Sequence, residues 1–259
     1  MFLQKILEHK KQEMADRKAL LPLSELKRRL EETPVPLDFE GAIRSRQGAL
    51  IAEVKRSSPS RGRIREDFDP TAIARVYAES GAAAVSVLTD RRFFEGHDSF
   101  LLQVRSSISI PLLRKDFIID PYQVYETRFL GGDAILLIAR ALDPGLLEEF
   151  LRISSELGLS SLVEIHDEAD LEKAVFSGAR MIGINNRDLS TLATDLETSI
   201  RLAPLLPKGI TVISESGIRS RGDIERLKAA GVHGFLVGET LMAARDIAGK
   251  IRELLGTEG

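Results

Sequence analysis

The chain has 259 residues, of which 43% are hydrophobic and 29% charged, and its formal net charge at pH 7 is −3. These values are ordinary for a soluble globular protein, and they exclude a bulk attraction to nucleic acid or to an anionic membrane. The lack of cysteine excludes a disulfide framework, a thiolate metal site and a cysteine nucleophile. A length of about 250 residues suits a single α/β barrel.

The first 47 residues are predicted to form a helical extension. Two helical patterns cover residues 2–19 and 23–32, and Pro34-Val35-Pro36 follows them. The apolar stretch at the N-terminus is too short and too often interrupted by charges for a signal peptide or a membrane span. We therefore expect a cytoplasmic protein, in which these helices lie across the main domain rather than forming a second domain.

From about residue 48, short apolar runs alternate with amphipathic stretches. The predicted strands cover residues 49–54, 83–88, 111–114, 134–138, 161–165, 180–184, 210–214 and 234–237. Eight strand–helix units in a row predict a parallel sheet that closes as one (β/α)8 barrel domain, over residues 1–259 with the extension included. An open doubly wound sheet is the alternative, but no G-x-G-x-x-G motif follows the first strand.

Helices are predicted between these strands, and several of them end on a glycine. Clear amphipathic examples cover residues 144–157, 168–177 and 221–230. Helix C-caps are predicted at Gly81, Gly131, Gly158, Gly178 and Gly231.

Polar residues stand at the carboxyl ends of several predicted strands. Because side chains alternate along a strand, Glu53 and Lys55 share the inward face with Ile51, whereas Ala52 and Val54 face the helices. The same alternation turns four further polar side chains inward, namely Lys115, Glu164, Asn185 and Glu215. One such charge would be a solvated rim residue, but six polar side chains at one mouth are costly to bury for stability alone. Active sites of this fold lie at that face, so these six residues predict an active site.

The charges of this set suit acid–base catalysis. A lysine beside carboxylates stays protonated and acts as an acid, and a glutamate in a partly dry pocket acts as a base. His166 follows Glu164 by two residues and could share its face, but a histidine at the rim is expected there. His9, His97 and His233 are expected to be structural or exposed. No spacing of His, Asp or Glu indicates a catalytic metal, so neither a metal nor a cofactor is expected.

The loops after the last two strands are predicted to bind a phosphate. One strand ends in Ser214-Glu215-Ser216-Gly217, and the other in Val237-Gly238-Glu239. Glycines at both turns let backbone N–H groups approach an anion, and these loops are the usual phosphate site of the fold. The loop at 57–62, after the first strand, is expected to lie over the substrate.

A set of short segments carries a more specific pattern. The segments are Glu53–Ser60, Val87–Asp90, Phe93–Gly96, Arg114–Phe117, Leu162–His166, Ile182–Leu189, Ser214–Ile218 and Leu236–Gly238. They run in order across the whole barrel, and with the helical extension they resemble the indole-3-glycerol-phosphate synthase family of tryptophan biosynthesis.

The resemblance implies a carboxy-lyase that closes the indole ring of 1-(2-carboxyphenylamino)-1-deoxyribulose 5-phosphate with loss of CO2 and water. Lys115 would be the general acid and Glu164 the general base, while Lys55 would bind the substrate and share the acid role. Glu53 and Glu215 would orient the lysines and the substrate hydroxyls.

The resemblance also implies further contacts to the substrate. The implied contacts are hydrogen bonds from Asn185, polar or carboxylate contacts from Ser58 and Arg187, a ring pocket at Phe94 and Phe117, and a phosphate cradle at Ser216, Gly217 and Gly238. Simple packing is the alternative for the two phenylalanines. Glu239 stands where some relatives carry serine, and only its backbone is expected to face the phosphate, because its carboxylate would repel the anion.

Other classes of protein compete with this interpretation. Phosphoribosylanthranilate isomerase relies on a cysteine base, which this chain lacks, and the barrel isomerases of histidine synthesis use paired aspartates. A Schiff-base aldolase also places a lysine inside a barrel, although the carboxylates near Lys115 favour the charged amine. An inactive barrel that serves as a binding scaffold is the alternative outside the enzymes. We expect a monomer or weak homo-oligomer, with other tryptophan-pathway enzymes on separate chains.

Overall fold

The computed structural model describes residues 2–59, 61–188 and 191–257, and its main feature is a closed barrel of eight parallel strands. The barrel strands are β1 (Ala49–Val54), β2 (Ala84–Leu88), β3 (Leu112–Lys115), β4 (Ala134–Ile138), β5 (Ser160–Ile165), β6 (Met181–Asn185), β7 (Thr211–Glu215) and β8 (Gly234–Val237). Each strand pairs with its neighbours in the sequence, and β8 pairs with β1. The predicted (β/α)8 barrel is confirmed, and the alternative, an open doubly wound sheet, is wrong. Ser60 and Leu189 of the family segments lie outside the described residues.

Helices follow the strands around the barrel. They are α1 (Phe2–Leu20), α2 (Leu23–Arg29), α3 (Phe39–Arg44), α4 (Pro70–Glu79), α5 (Arg91–Phe94), α6 (Asp98–Arg105), α7 (Pro121–Phe129), α8 (Pro144–Glu156), α9 (Glu168–Phe176), α10 (Glu197–Leu202), α11 (Arg221–Ala229), α12 (Glu239–Met242) and α13 (Ile247–Leu255). Short 3-10 helices cover Leu30–Glu32, Ala139–Ala141 and Ala203–Leu205. The five glycines predicted to end helices all have positive φ, from +74° at Gly158 to +100° at Gly81.

The core has two layers, and the alternation along β1 assigns its side chains to them. Leu50, Ala52 and Val54 belong to the larger cluster between the strands and the helices. Ala49 and Ile51 belong to the smaller cluster inside the barrel. The predicted facing of this strand is therefore confirmed, and Glu53 continues the inward row.

Two small elements lie outside the prediction from sequence. One is a two-stranded ribbon of Ser57–Ser58 and Gly62–Arg63 in the loop after β1. The other is α3, whose Phe39 and Ile43 are fully buried and join the inner cluster. Their partners include Ala49, at the start of a strand, so α3 closes the amino-terminal end of the barrel. A helix of six residues is too short for its periodicity to be read with certainty.

The N-terminal extension packs against the barrel. Met14 of α1 and Leu26 of α2 form a buried cluster with Tyr122 of α7. Earlier in α1, the fully buried Lys10 forms ion pairs with Asp90 and Asp116, which follow β2 and β3. These contacts place α1 across the carboxyl end of the barrel. Among the described residues, no helix combines the length and the apolar character that a membrane span requires.

Candidate active site

A cavity of about 430 Å³ opens at the carboxyl end of the barrel, a size that suits a small-molecule site. All fourteen predicted site residues line it: Glu53, Lys55, Ser58, Phe94, Lys115, Phe117, Glu164, Asn185, Arg187, Glu215, Ser216, Gly217, Gly238 and Glu239. Lys115, Asn185 and Glu215 are the last residues of their strands, one position beyond the predicted ends. The structure thus brings the predicted residues together, while their individual roles stay predictions.

Lys115 is the central cation of this cavity. Its Nζ donates a hydrogen bond to Glu215 Oε2 at 2.9 Å and another to Glu164 Oε2 at 3.2 Å. Burial opposes the charge on this lysine, but the negative charges of Glu215 and Glu164 outweigh it and raise the pKa of Lys115 above its ordinary value. The amine therefore stays protonated at neutral pH and is suited to donate a proton.

The two glutamates beside Lys115 differ in acidity. Burial raises the pKa of Glu164, but Lys115, His166 and a hydrogen bond from Asn185 together hold it below the ordinary value. Burial raises the pKa of Glu215 to about 7, because the nearby carboxylate of Glu164 offsets part of the opposing effect of Lys115. Neighbouring titratable groups whose pKa values are pushed apart are typical of acid–base sites.

Two glycines make room for the buried carboxylates. A Cβ on Gly183 would lie 2.1 Å from Glu215 Oε1, and one on Gly238 would lie 2.1 Å from Glu53 Oε2. Glu53 in turn forms an ion pair with Lys55, whose Nζ lies 2.6 Å from Glu53 Oε2. With the carboxylates in these positions neither glycine can carry a Cβ, so Gly183 shapes the site and is a residue that the prediction missed. Its position in an apolar strand is the signal for it, since a glycine there often marks a close approach.

The turn after β7 has an unusual backbone. Ser216 and Gly217 both adopt positive φ, at +69° and +81°, although serine rarely does so. The buried Asn186 fixes this turn, because its Nδ2 donates to the carbonyl oxygens of Glu215 and Ser216, both at 3.0 Å. Asn186 is a second residue that the prediction missed, and it holds the predicted phosphate loop in place.

Arg187 and Glu239 form an ion pair at the edge of the cavity. Arg187 Nη2 donates to Glu239 Oε1 at 3.1 Å, and Ser58 Oγ donates to the same oxygen at 3.3 Å. The backbone N–H of Arg187 donates to Asn185 Oδ1 at 3.0 Å. Arg187 thus neutralises the carboxylate of Glu239, and its backbone N–H orients the side chain of Asn185.

An apolar wall completes the cavity. The rings of Phe94 and Phe117 lie with centroids 6.2 Å apart and planes tilted by 36°, and both line the cavity. Leu3 and Ile6 of α1 line it as well, and Ile6 is almost fully buried. These two α1 residues were missed, although an apolar pair three positions apart in a charged helix indicates a buried face.

The expected position of His166 is wrong. Its side chain is only 5% exposed, and its Nε2 lies 3.4 Å from Glu164 Oε1. The side chain is close to Glu164 because residues two apart along an extended segment share a face. His166 therefore belongs to the surroundings of the site rather than to the exposed rim.

A protonated lysine between two carboxylates, at the mouth of a closed barrel, is an arrangement suited to acid–base chemistry in a (β/α)8 enzyme. The sequence profile of the family described as indole-3-glycerol phosphate synthase matches residues 3–254. The chain belongs to this family.

Relatives of known function match almost the full length of the chain. The indole-3-glycerol phosphate synthase of Dehalococcoides mccartyi is 50% identical over 259 residues, which cover 98% of this chain and 100% of the relative. The enzyme of the same name from Carboxydothermus hydrogenoformans is 47% identical over 264 residues, with 98% and 99% covered. Among solved structures, thiamine phosphate pyrophosphorylase from Pyrococcus furiosus aligns with a TM-score of 0.62 at 16% identity, covering 80% of this chain and 94% of that one. That likeness shows the fold alone.

Proposed function

We propose that the chain is an indole-3-glycerol-phosphate synthase, a carboxy-lyase of tryptophan biosynthesis. Its substrate is 1-(2-carboxyphenylamino)-1-deoxyribulose 5-phosphate, which it converts to indole-3-glycerol phosphate, CO2 and water. Membership of the family supports the reaction. The observation that carries the mechanism is Lys115, hydrogen-bonded to both Glu164 and Glu215 inside the cavity.

The proposed reaction uses one acid and one base. The ring carbon that bears the carboxylate attacks the ketone carbon, while Lys115 delivers a proton to the ketone oxygen. The carboxylate then leaves as CO2, and its bonding electron pair restores the aromatic ring. The new hydroxyl leaves as water with a proton from a lysine, Lys115 or Lys55, and Glu164 removes the proton whose loss forms the indole double bond.

The other residues of the cavity bind and orient the substrate. The turns at Gly217 and Gly238 hold the phosphate through backbone N–H groups, as their place after β7 and β8 supports. Phe94 and Phe117 enclose the aromatic ring. Holding the reacting carbons together in an apolar, partly dry cavity lowers the barrier to ring closure.

A Schiff-base aldolase is the competing enzyme class. That chemistry needs a neutral amine, but the carboxylates around Lys115 favour its protonated form. We expect no trapping of Lys115 by borohydride with a simple carbonyl substrate. A covalent adduct on Lys115, detected by mass spectrometry, would favour the aldolase.

An indole-fluorescence assay with the anilino-deoxyribulose phosphate tests the proposal. Wild type should produce fluorescence, whereas Lys115→Ala and Glu164→Gln should lower kcat by about 10²- to 10⁴-fold, the usual contribution of a general acid or base. The exposed Lys208 and Glu148 provide matched controls, since Lys208→Ala and Glu148→Gln should retain wild-type rates. A wild type that is folded and binds phosphate but makes no indole would overturn the assignment.

A further inference from the structure

The buried ring of His166 lies between two carboxylates. Its Nε2 is 3.4 Å from Glu164 Oε1, and its Nδ1 is 3.5 Å from Asp170 Oδ2. Neither ring nitrogen has a hydrogen-bond partner among the described residues. A buried imidazole without partners is costly, so its place between two acceptors calls for a physical reason.

Asp170 is the fixed end of this arrangement. Arg140 donates to Asp170 Oδ2 from Nε at 2.9 Å and from Nη2 at 2.7 Å, and the backbone N–H of His166 donates to the same oxygen at 3.0 Å. Burial raises the pKa of Asp170, but the adjacent His166 and the guanidinium of Arg140 lower it below the ordinary value. Asp170 is therefore a charged group on the Nδ1 side of the ring, and Nε2 faces Glu164 on the other side.

Glu164 lies at the other end of the arrangement, and its two oxygens have different neighbours. Oε2 accepts from Lys115, whereas Oε1 faces His166. Hydrogen bonds of catalytic groups are often long in a ligand-free site and shorten when the substrate binds. A small rotation of either side chain would bring Nε2 and Oε1 within hydrogen-bond distance.

We propose that His166 is a positioning residue for Glu164. It donates a hydrogen bond from Nε2 to Oε1 of Glu164, while Asp170, itself held by Arg140, faces Nδ1 on the other side of the ring. The bond fixes the rotation of the carboxylate and favours its ionised form, leaving Oε2 to exchange protons with the substrate. The inference rests on the proposed function, in which Glu164 is the base.

The charged groups that face His166 come from several elements. Glu164 lies on β5, Asp170 on α9, and Arg140 on the 3-10 helix after β4, while Lys115 of β3 and Asn185 of β6 reach the histidine only through Glu164.

A donor to a carboxylate lowers its pKa, so losing the donor raises the pKa of Glu164. Since the base must be ionised, the acid limb of the kcat profile then moves to higher pH.

Two substitutions distinguish positioning from packing. His166→Gln places an amide nitrogen near the position of Nε2, facing Glu164, whereas His166→Asn places one near Nδ1, facing Asp170. We expect His166→Asn to lower kcat by about 10- to 100-fold, as is typical when the orienting partner of a site residue is lost. Its KM should stay nearly unchanged, and its acid limb should shift upward. His166→Gln should recover most of the lost kcat and return the acid limb toward that of wild type.

The outcomes separate the two proposals. If wild type makes indole but the Asn and Gln variants have equal kcat and equal pH profiles, His166 has no positioning role. A wild type without activity overturns the proposed function, and with it the base on which this inference rests.

A measurement on the wild type itself covers the case in which a variant fails to fold. Nitrogen-15 NMR should show His166 Nε2 protonated at neutral pH. An unprotonated Nε2 would overturn the inference, because only a protonated nitrogen donates to Glu164.

Discussion

Lys115 lies among carboxylates that do not all ionise with equal ease. Two carboxylates that share one cation repel each other, so one retains its charge and the other takes up a proton more readily. Here Glu164 has a lowered pKa and Glu215 a pKa raised to about 7. Lys115 donates a hydrogen bond to each glutamate. Glu164 is thus ionised and ready to act as a base at neutral pH, whereas Glu215 titrates there.

The pH dependence of catalysis should reflect Glu215. As the pH rises through about 7, Glu215 loses its proton and becomes a full acceptor for Lys115 Nζ. We expect kcat/KM of wild type to rise across this range, and Glu215→Gln to lack the transition while keeping the limb at lower pH that belongs to Glu164. Steady-state kinetics from acidic to alkaline pH measures this. A transition of unchanged midpoint in Glu215→Gln would assign it to another group, and Glu148→Gln serves as the control.

At the scale of single residues, alternation along the strands was enough to predict which side chains point into the barrel. Glu53, Lys115 and Glu164 follow the parity of apolar residues whose facing is fixed by the core. Local patterns point to Gly183 and His166, but the contacts that make these residues important come from other elements. The glycine indicates a close approach, but its partner, Glu215 on the neighbouring strand, is known only from the strand pairing.

At the scale of elements, α1 is attached to the barrel by a buried charge. Lys10 Nζ lies 3.0 Å from Asp90 Oδ2, 2.9 Å from Asp116 Oδ1 and 2.8 Å from Glu13 Oε2. Asp116 directly follows Lys115, so the same pairs connect α1 to the end of β3. Sequence reasoning could not find this contact, because Lys10 stands in a run of charged residues typical of an exposed helix.

Removing the charge of Lys10 should destabilise the fold. Lys10→Met keeps the length of the side chain but leaves Asp90 buried without its cation and Asp116 with Arg114 alone, at 3.5 Å. We expect the free energy of unfolding to fall by about 3–5 kcal/mol, the usual loss when one partner of a buried ion pair is removed. Urea denaturation measures it, and Lys11→Met, at an exposed neighbouring position, should change stability by less than about 0.5 kcal/mol. Equal effects of the two variants would contradict the role of Lys10.

At the scale of the whole molecule, barrel closure places residues from distant parts of the sequence at one mouth. The pattern that predicts closure is local and repeats eight times, which explains why the fold followed from the sequence. The phosphate loops illustrate what closure adds. Gly217 and Gly238 lie 21 residues apart in sequence, but the parallel pairing of β7 and β8 brings their turns to the same edge.

Anion binding at these turns should stabilise the whole molecule, because a ligand that binds only the folded state shifts the unfolding equilibrium. Inorganic phosphate at roughly 100 times its Kd should raise the free energy of unfolding of wild type by about 2.7 kcal/mol. Gly217→Ala should lose most of this gain, since φ of +81° strains alanine and a Cβ there lies 3.2 Å from Thr194. Gly178→Ala is the matched control, because Gly178 has φ of +84° in open space at the end of α9. Both variants share the cost of the left-handed backbone. Thermal unfolding with and without phosphate therefore isolates the effect of binding. An equal phosphate-induced gain in stability in both variants would exclude Gly217 from the phosphate site.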